Sequence, residues 1–98
     1  MYTVKQLRKL LKNYGVGLDY FKPDNDYWND ASVTYAERKV LEENKEYLSK
    51  EDLELLKEYD LKAIELYEKY KELNTDTVKD WLFDIAKIAK VNLSAQLK

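Results

Sequence analysis

SKEDLELLKEYDLKAIELYEKYKELN, residues 49–74, is the stretch that decides the fold. Ser49 is placed to cap the first free backbone amides of a helix, and Asp52, three residues on, puts a carboxylate at its positive end. No Gly or Pro interrupts the rest of the stretch. On a wheel of about 100° per residue, Leu53, Leu55, Leu56, Tyr59, Ala63, Ile64, Leu66, Tyr67, Tyr70 and Leu73 fall within roughly half the circumference. A helix packed on a single neighbour needs a stripe only about 100° wide. The stretch therefore predicts one long helix over about 50–73 that lies centrally, with at least two helices against it. Asp60 interrupts its stripe. An acid there is expected at the edge, solvated or bonded to Lys57, Lys71 or a tyrosine hydroxyl, because buried acids need partners.

The whole chain supports a helical reading. Its 98 residues contain two Gly and one Pro, too few for a loop-rich or all-β protein. The expectation is an all-α, small four-helix domain, residues 1–98, around the long helix. There is no Cys and no His. Disulfides, thiolate or imidazole metal sites and every His-dependent acid–base arrangement are thereby excluded. The two glycines, Gly15 and Gly17, cannot build a phosphate-cradling loop. The longest apolar run, Trp81-Leu82-Phe83, is far too short to span a bilayer. A cytoplasmic protein without cofactor, metal or enzymatic activity is the expectation.

The N-terminal helix is expected from Val4 to Tyr14. Thr3 and Gln6 form a capping-box pair, and Gly15 is read as its stop. Val4, Leu7, Leu10, Leu11 and Tyr14 share one arc, and Lys5, Arg8, Lys9 and Lys12 share another. Four bases on one face can neutralise phosphates or answer the acidic middle of the chain. Residues 3–16, TVKQLRKLLKNYGV, resemble the opening helix of SAP and related helix-extension-helix DNA-binding motifs, which implies DNA contact through that basic face. The second half of the motif, a Gly-Lys turn leading into a Leu-Ile-Arg helix, has no counterpart, and the chain is not assigned to the family.

Residues 15–33 form the irregular part, a long loop rich in aromatics. Tyr20, Phe21, Tyr27 and Trp28 argue against disorder. They either plug one end of the core or belong to a contact surface, where Trp and Tyr dominate binding energy. Asp24, Asp26 and Asp30 do not make a calcium loop: Asn29 stands where the turn glycine belongs and Tyr35 where the bidentate Glu belongs.

A second helix is expected from Thr34, capped with Glu37, to about Leu48. Its inward face is Ala36, Val40, Leu41, Tyr47 and Leu48, with Asn44 bonded to a neighbouring helix. The cap at Ser49 suggests an antiparallel hairpin with the long helix, unless residues 35–73 are continuous. The last helix, from about Thr75, turns Val78, Trp81, Leu82, Ile85, Ile88 and Ala89 inward. It leaves Phe83 outside among Lys79, Lys87 and Lys90, either as a partner anchor or covered by the tail.

Charge is polarised: residues 1–22 carry a net +4, residues 23–72 a net −7. The functional expectation is a non-enzymatic protein-interaction module (an inhibitor, adaptor or small assembly subunit). It would bind a protein partner through Tyr20, Phe21, Tyr27, Trp28 and Phe83, with a homo-oligomer also possible. The alternative is nucleic-acid binding through Lys5, Arg8, Lys9 and Lys12. Mimicry of a nucleic acid by the acidic middle ranks lower, since its acids alternate with lysines.

Overall fold

The computed structural model describes residues 2–19, 31–70, 72 and 76–96, and every structural statement concerns these residues. They form four α-helices: α1 (Val4–Asp19), α2 (Ala31–Glu43), α3 (Lys50–Tyr70) and α4 (Asp76–Gln96). A short 3-10 turn, Lys45–Tyr47, separates α2 from α3. Two caps are built as expected. Thr3 and Gln6 exchange hydrogen bonds of 2.8 and 3.1 Å, and the Asp52 amide donates to Ser49 Oγ at 3.1 Å.

The helix α3 is the long central element, and it packs on both α4 and α1. Leu56, Asp60 and Ala63 form its fully buried spine, and Leu53, Leu55, Tyr59, Leu66, Tyr67 and Tyr70 are half-buried beside it. The wide apolar stripe is thus shared between two neighbours. Residues 35–73 are not one helix: the chain leaves α2 at Asn44, and Leu48 is extended at φ −88°, ψ 145°.

The arrangement of the helices differs from the expected α2–α3 hairpin. The side-by-side pairs are α1 with α2, α3 with α4, α2 with α4 and α1 with α3, so α2 and α3 face each other across the bundle diagonal. The turn and extended residues between them give enough chain to step across one end. The first and third helices run in the same direction, since Arg8 meets Asp52 and Asp19 meets Lys62.

The N-terminal helix does not stop at Gly15. It continues through both glycines to Asp19, and no described residue has a positive φ. Their role is close approach rather than termination. A Cβ on Gly15 would fall in the ring of Tyr59, 2.7 Å from Cε2, and one on Gly17 would strike the side chain of Thr34. Thr34 is accordingly buried inside α2 and caps nothing, and α2 begins three residues before it. Glu37, its expected capping partner, is half-buried beside Asn13 of α1.

The inward face of α2 is Thr34, Arg38 and Leu41, followed by Leu48 beyond the turn. Ala36 and Tyr47, expected inside, are exposed. Asn44 does not bridge to another helix: its amide donates to the Val40 carbonyl at 2.8 Å, satisfying the end of its own helix. On α4, Leu82, Ile85, Ala86, Ala89 and Asn92 are buried and Ile88 half-buried. The expected inward side chains of Val78 and Trp81 lie outside the described set.

Candidate functional site

The most unusual chemistry lies in the centre of the bundle. Asp60 is completely buried, which overturns its expected place at the stripe edge. Its carboxylate accepts four hydrogen bonds. Arg38 reaches across the diagonal from α2 and donates through Nε to Oδ1 and through Nη2 to Oδ2, both at 2.9 Å. The Tyr14 hydroxyl of α1 donates to Oδ1 at 2.8 Å, and the Asn92 amide of α4 donates to Oδ2 at 2.8 Å. A carboxylate offers about four lone-pair sites, and all are filled. Of the expected partners, the tyrosine hydroxyl is among those holding it and Lys57 is not, while Lys71 lies outside the described residues.

A second layer extends the network toward solvent. Arg38 Nη2 also donates to Glu42 at 2.9 Å, one helical turn on. Lys45 closes the circuit, at 2.7 Å from Glu42 and 2.9 Å from Asn92 Oδ1. The charges of Arg38, Asp60, Glu42 and Lys45 cancel. Arg38 is also fully buried, with Nη1 lacking a hydrogen-bond partner among the described residues and the guanidinium 5.8 Å from the centre of the Tyr14 ring. All four helices therefore converge on one carboxylate.

The protonation states follow from this geometry. Burial, then the charge and hydrogen bond of Asp60, push the Tyr14 hydroxyl far above its ordinary range against the opposing pull of Arg38, so it remains a donor. Burial is the largest single influence on Arg38 and pulls it down. The contacts with Asp60, with help from Tyr14 and Glu42, outweigh that and hold it above its ordinary value. A bidentate pair with every carboxylate lone pair used is a structural clamp. Tyr14, Arg38, Asp60 and Asn92 expose no surface to a substrate. Among the described residues no group of acids is placed to hold a metal ion.

The clamp is legible in the sequence only in part. Asp60 stands out as an acid in an apolar stripe. Sequence reasoning misses Arg38 and Asn92, although Thr34, Arg38, Leu41 and Leu48 share one helical spacing and Asn92 continues the row of Ile85 and Ala89.

The surface candidates are scattered. Tyr20, Phe21, Tyr27 and Trp28, and the Asp24, Asp26 and Asp30 cluster, lie outside the described residues. Phe83 stands on the outer face of α4, 46% exposed, with its ring 5.4 Å from that of Tyr67 on α3. Lys87, Lys90 and Val91 continue that face, and Val91 is 63% exposed. Beside it, Glu42, Lys87, Ile88 and Val91 line a shallow recess of about 250 Å³ between α2 and α4. Lys5, Lys9 and Lys12 are exposed along α1. Arg8, expected with them, is turned to Asp52 of α3, Nε to Oδ2 at 3.0 Å. Burial pushes the Asp52 carboxyl up, but the bonds from Arg8 and Ser49 prevail and hold it below its ordinary value.

Compared with family models, curated proteins and solved structures, the chain gives no significant match.

Proposed function

We propose that this chain is a non-enzymatic protein-interaction module, an inhibitor, adaptor or small assembly subunit, whose described contact surface is the outer face of α4. The observation that carries this reading is the pairing of exposed Phe83 and Val91 on one helix face with the recess lined by Glu42, Lys87, Ile88 and Val91. An exposed aromatic ring on the same outer helix face as a recess with an apolar wall and a charged rim suits burial by a partner. The clamp inside supports the same reading, because a scaffold with one fixed core presents such a face without rearranging. Tyr20, Phe21, Tyr27 and Trp28 remain proposed further anchors.

The test is capture of partners from the native host by the intact chain and by Phe83→Ala, Val91→Asp and Trp28→Ala, with and without nuclease. Folded variants, judged by circular dichroism, should lose a protein partner that the parent retains after nuclease treatment. Undiminished capture by all three ends the proposal.

Nucleic-acid binding through α1 ranks second. Lys5, Lys9 and Lys12 form one exposed row, but Arg8 is committed to Asp52 and the neighbouring α3 is acidic. Retardation of DNA or RNA that weakens steeply with salt would favour it over the protein reading.

A further inference from the structure

The outer face of the α1–α3 pair carries two parallel rows of opposite charge. On α1, Arg8, Gly15 and Asp19 point to α3, and Leu7, Leu11, Tyr14 and Leu18 point to the core. Turning away from the core, the next side chains are Lys5, Lys9, Lys12 and Val16, all exposed. On α3, Asp52, Tyr59 and Lys62 point to α1, and Leu56, Asp60 and Ala63 to the core. Turning away from that core, the next are Glu51, Glu54, Glu58, Leu61 and Glu65, again all exposed.

Both rows step by three and four residues, so each is a continuous ridge. Within each ridge the like charges stand one turn apart and repel, which destabilises an isolated helix by about 0.2–0.5 kcal/mol per pair. Near one end each ridge carries one aliphatic side chain, Val16 at 45% and Leu61 at 48% exposure.

The registers of the two ridges agree to within about two residues. Arg8 meets Asp52 and Gly15 meets Tyr59 at an offset of 44 residues, and Asp19 meets Lys62 at 43, along two helices that run the same way. A two-fold axis parallel to the helices keeps every level and exchanges α1 with α3. Lys5 and Lys12 then lie two residues, about 3 Å of helix rise, from the levels of Glu51 and Glu58 on a second copy, and Lys9 and Val16 one residue from those of Glu54 and Leu61, within reach of these long side chains. The same match occurs twice, as a closed two-fold interface requires.

From this charge and register complementarity we infer that the α1–α3 face is a self-association surface. Its occupant is a second copy of this chain, with the basic ridge of each protomer on the acidic ridge of the other. Two helices over about 20 Å of length bury on the order of 1,000 Å² in total, the lower end for a specific interface. The dimer is therefore weak and controlled by ionic strength. This surface is separate from the α4 face, and the two readings stand or fall independently.

The experiment is sedimentation equilibrium of the full chain and two charge-reversal variants at exposed positions, Lys9→Glu/Lys12→Glu and Glu54→Lys/Glu58→Lys, each checked for native helicity. The parent should dimerise, with at least a tenfold weakening from about 0.1 M to about 1 M salt, where the screening length falls from about 10 Å to about 3 Å. Each variant alone should be monomeric, and their equimolar mixture should regain the dimer, because both of its contacts are again of opposite charge. Phe83→Ala should leave the dimer unchanged. A monomeric parent at low salt overturns the inference. So does a dimer that survives in either variant alone, or a basic ridge that retains nucleic acid or another protein in place of a second copy.

Discussion

Removing Asp60 alone should be worse for the fold than removing Asp60 and Arg38 together. Asp60→Leu leaves the fully buried guanidinium of Arg38 with only Glu42 as counter-charge. Breaking a buried pair from one side costs roughly 3–5 kcal/mol. It also removes the 2.8 Å bonds that the Tyr14 hydroxyl and the Asn92 amide donate to the carboxylate, at about 1–2 kcal/mol each. The sum, about 5–9 kcal/mol, is comparable with the roughly 5–15 kcal/mol available to a domain of this size. Asp60→Leu should therefore be unfolded or nearly so at room temperature. In Arg38→Met/Asp60→Leu the uncompensated charge is gone, and the remaining cost is the two lost hydrogen bonds, about 2–4 kcal/mol. The second substitution should thus rescue the first by about 3 kcal/mol or more. Urea denaturation monitored by far-ultraviolet circular dichroism reads both, and each kcal/mol moves the thermal midpoint by about 4–8 °C. If the double variant is less stable than Asp60→Leu by the cost of Arg38→Met alone, the two residues do not interact, and the clamp is not what holds the bundle centre.

The same packing fixes other outcomes. Gly15→Ala gains about 1 kcal/mol of helix propensity but drives a methyl group into the Tyr59 ring, so a net loss of about 1–2 kcal/mol is expected in denaturant melts. Ser49→Ala removes the cap of α3 and should cost about 1 kcal/mol. The Asp52 carboxyl is held below its ordinary value, so its contribution is present above the unfolded carboxylate range and lost as pH falls through the folded value. Arg8→Gln should flatten the fall of the urea midpoint below about pH 4. Glu37 carries the opposite sign. Burial raises its carboxyl against the pull of Asn13, so its ionised form is penalised above the folded value, and Glu37→Gln should raise the midpoint at neutral pH.

The backbone architecture is more legible in the sequence than the interior chemistry. The caps at Thr3 and Ser49 are readable because a short side-chain bond to a local amide depends on only a few adjacent residues. The same pattern misleads at Thr34, where a Thr and a Glu three residues apart sit within a helix. Gly17 decides that position. It lies on a different helix and meets Thr34 only through space, and its missing side chain lets α1 approach α2 closely enough to bury the threonine. Gly15 misleads for a related reason: a glycine near a helix end reads as a stop, and only the ring of Tyr59 reveals it as a contact. Arg38 is invisible because its burial depends on a carboxylate across the bundle diagonal, and no local pattern records that α2 and α3 are opposed rather than adjacent.

The clamp is tested most directly by one measurement. The chain contains two arginines, Arg38 in the clamp and Arg8 on the surface with its side chain 59% exposed. Nitrogen-edited NMR resolves the Nε–H of each, and transfer into deuterated water gives both exchange rates in one sample. The Arg38 Nε–H, buried and donating to Asp60, should exchange with the slowest core amides, while that of Arg8 exchanges at once. Equal, rapid exchange at both sites would contradict the buried clamp around which the four helices are organised.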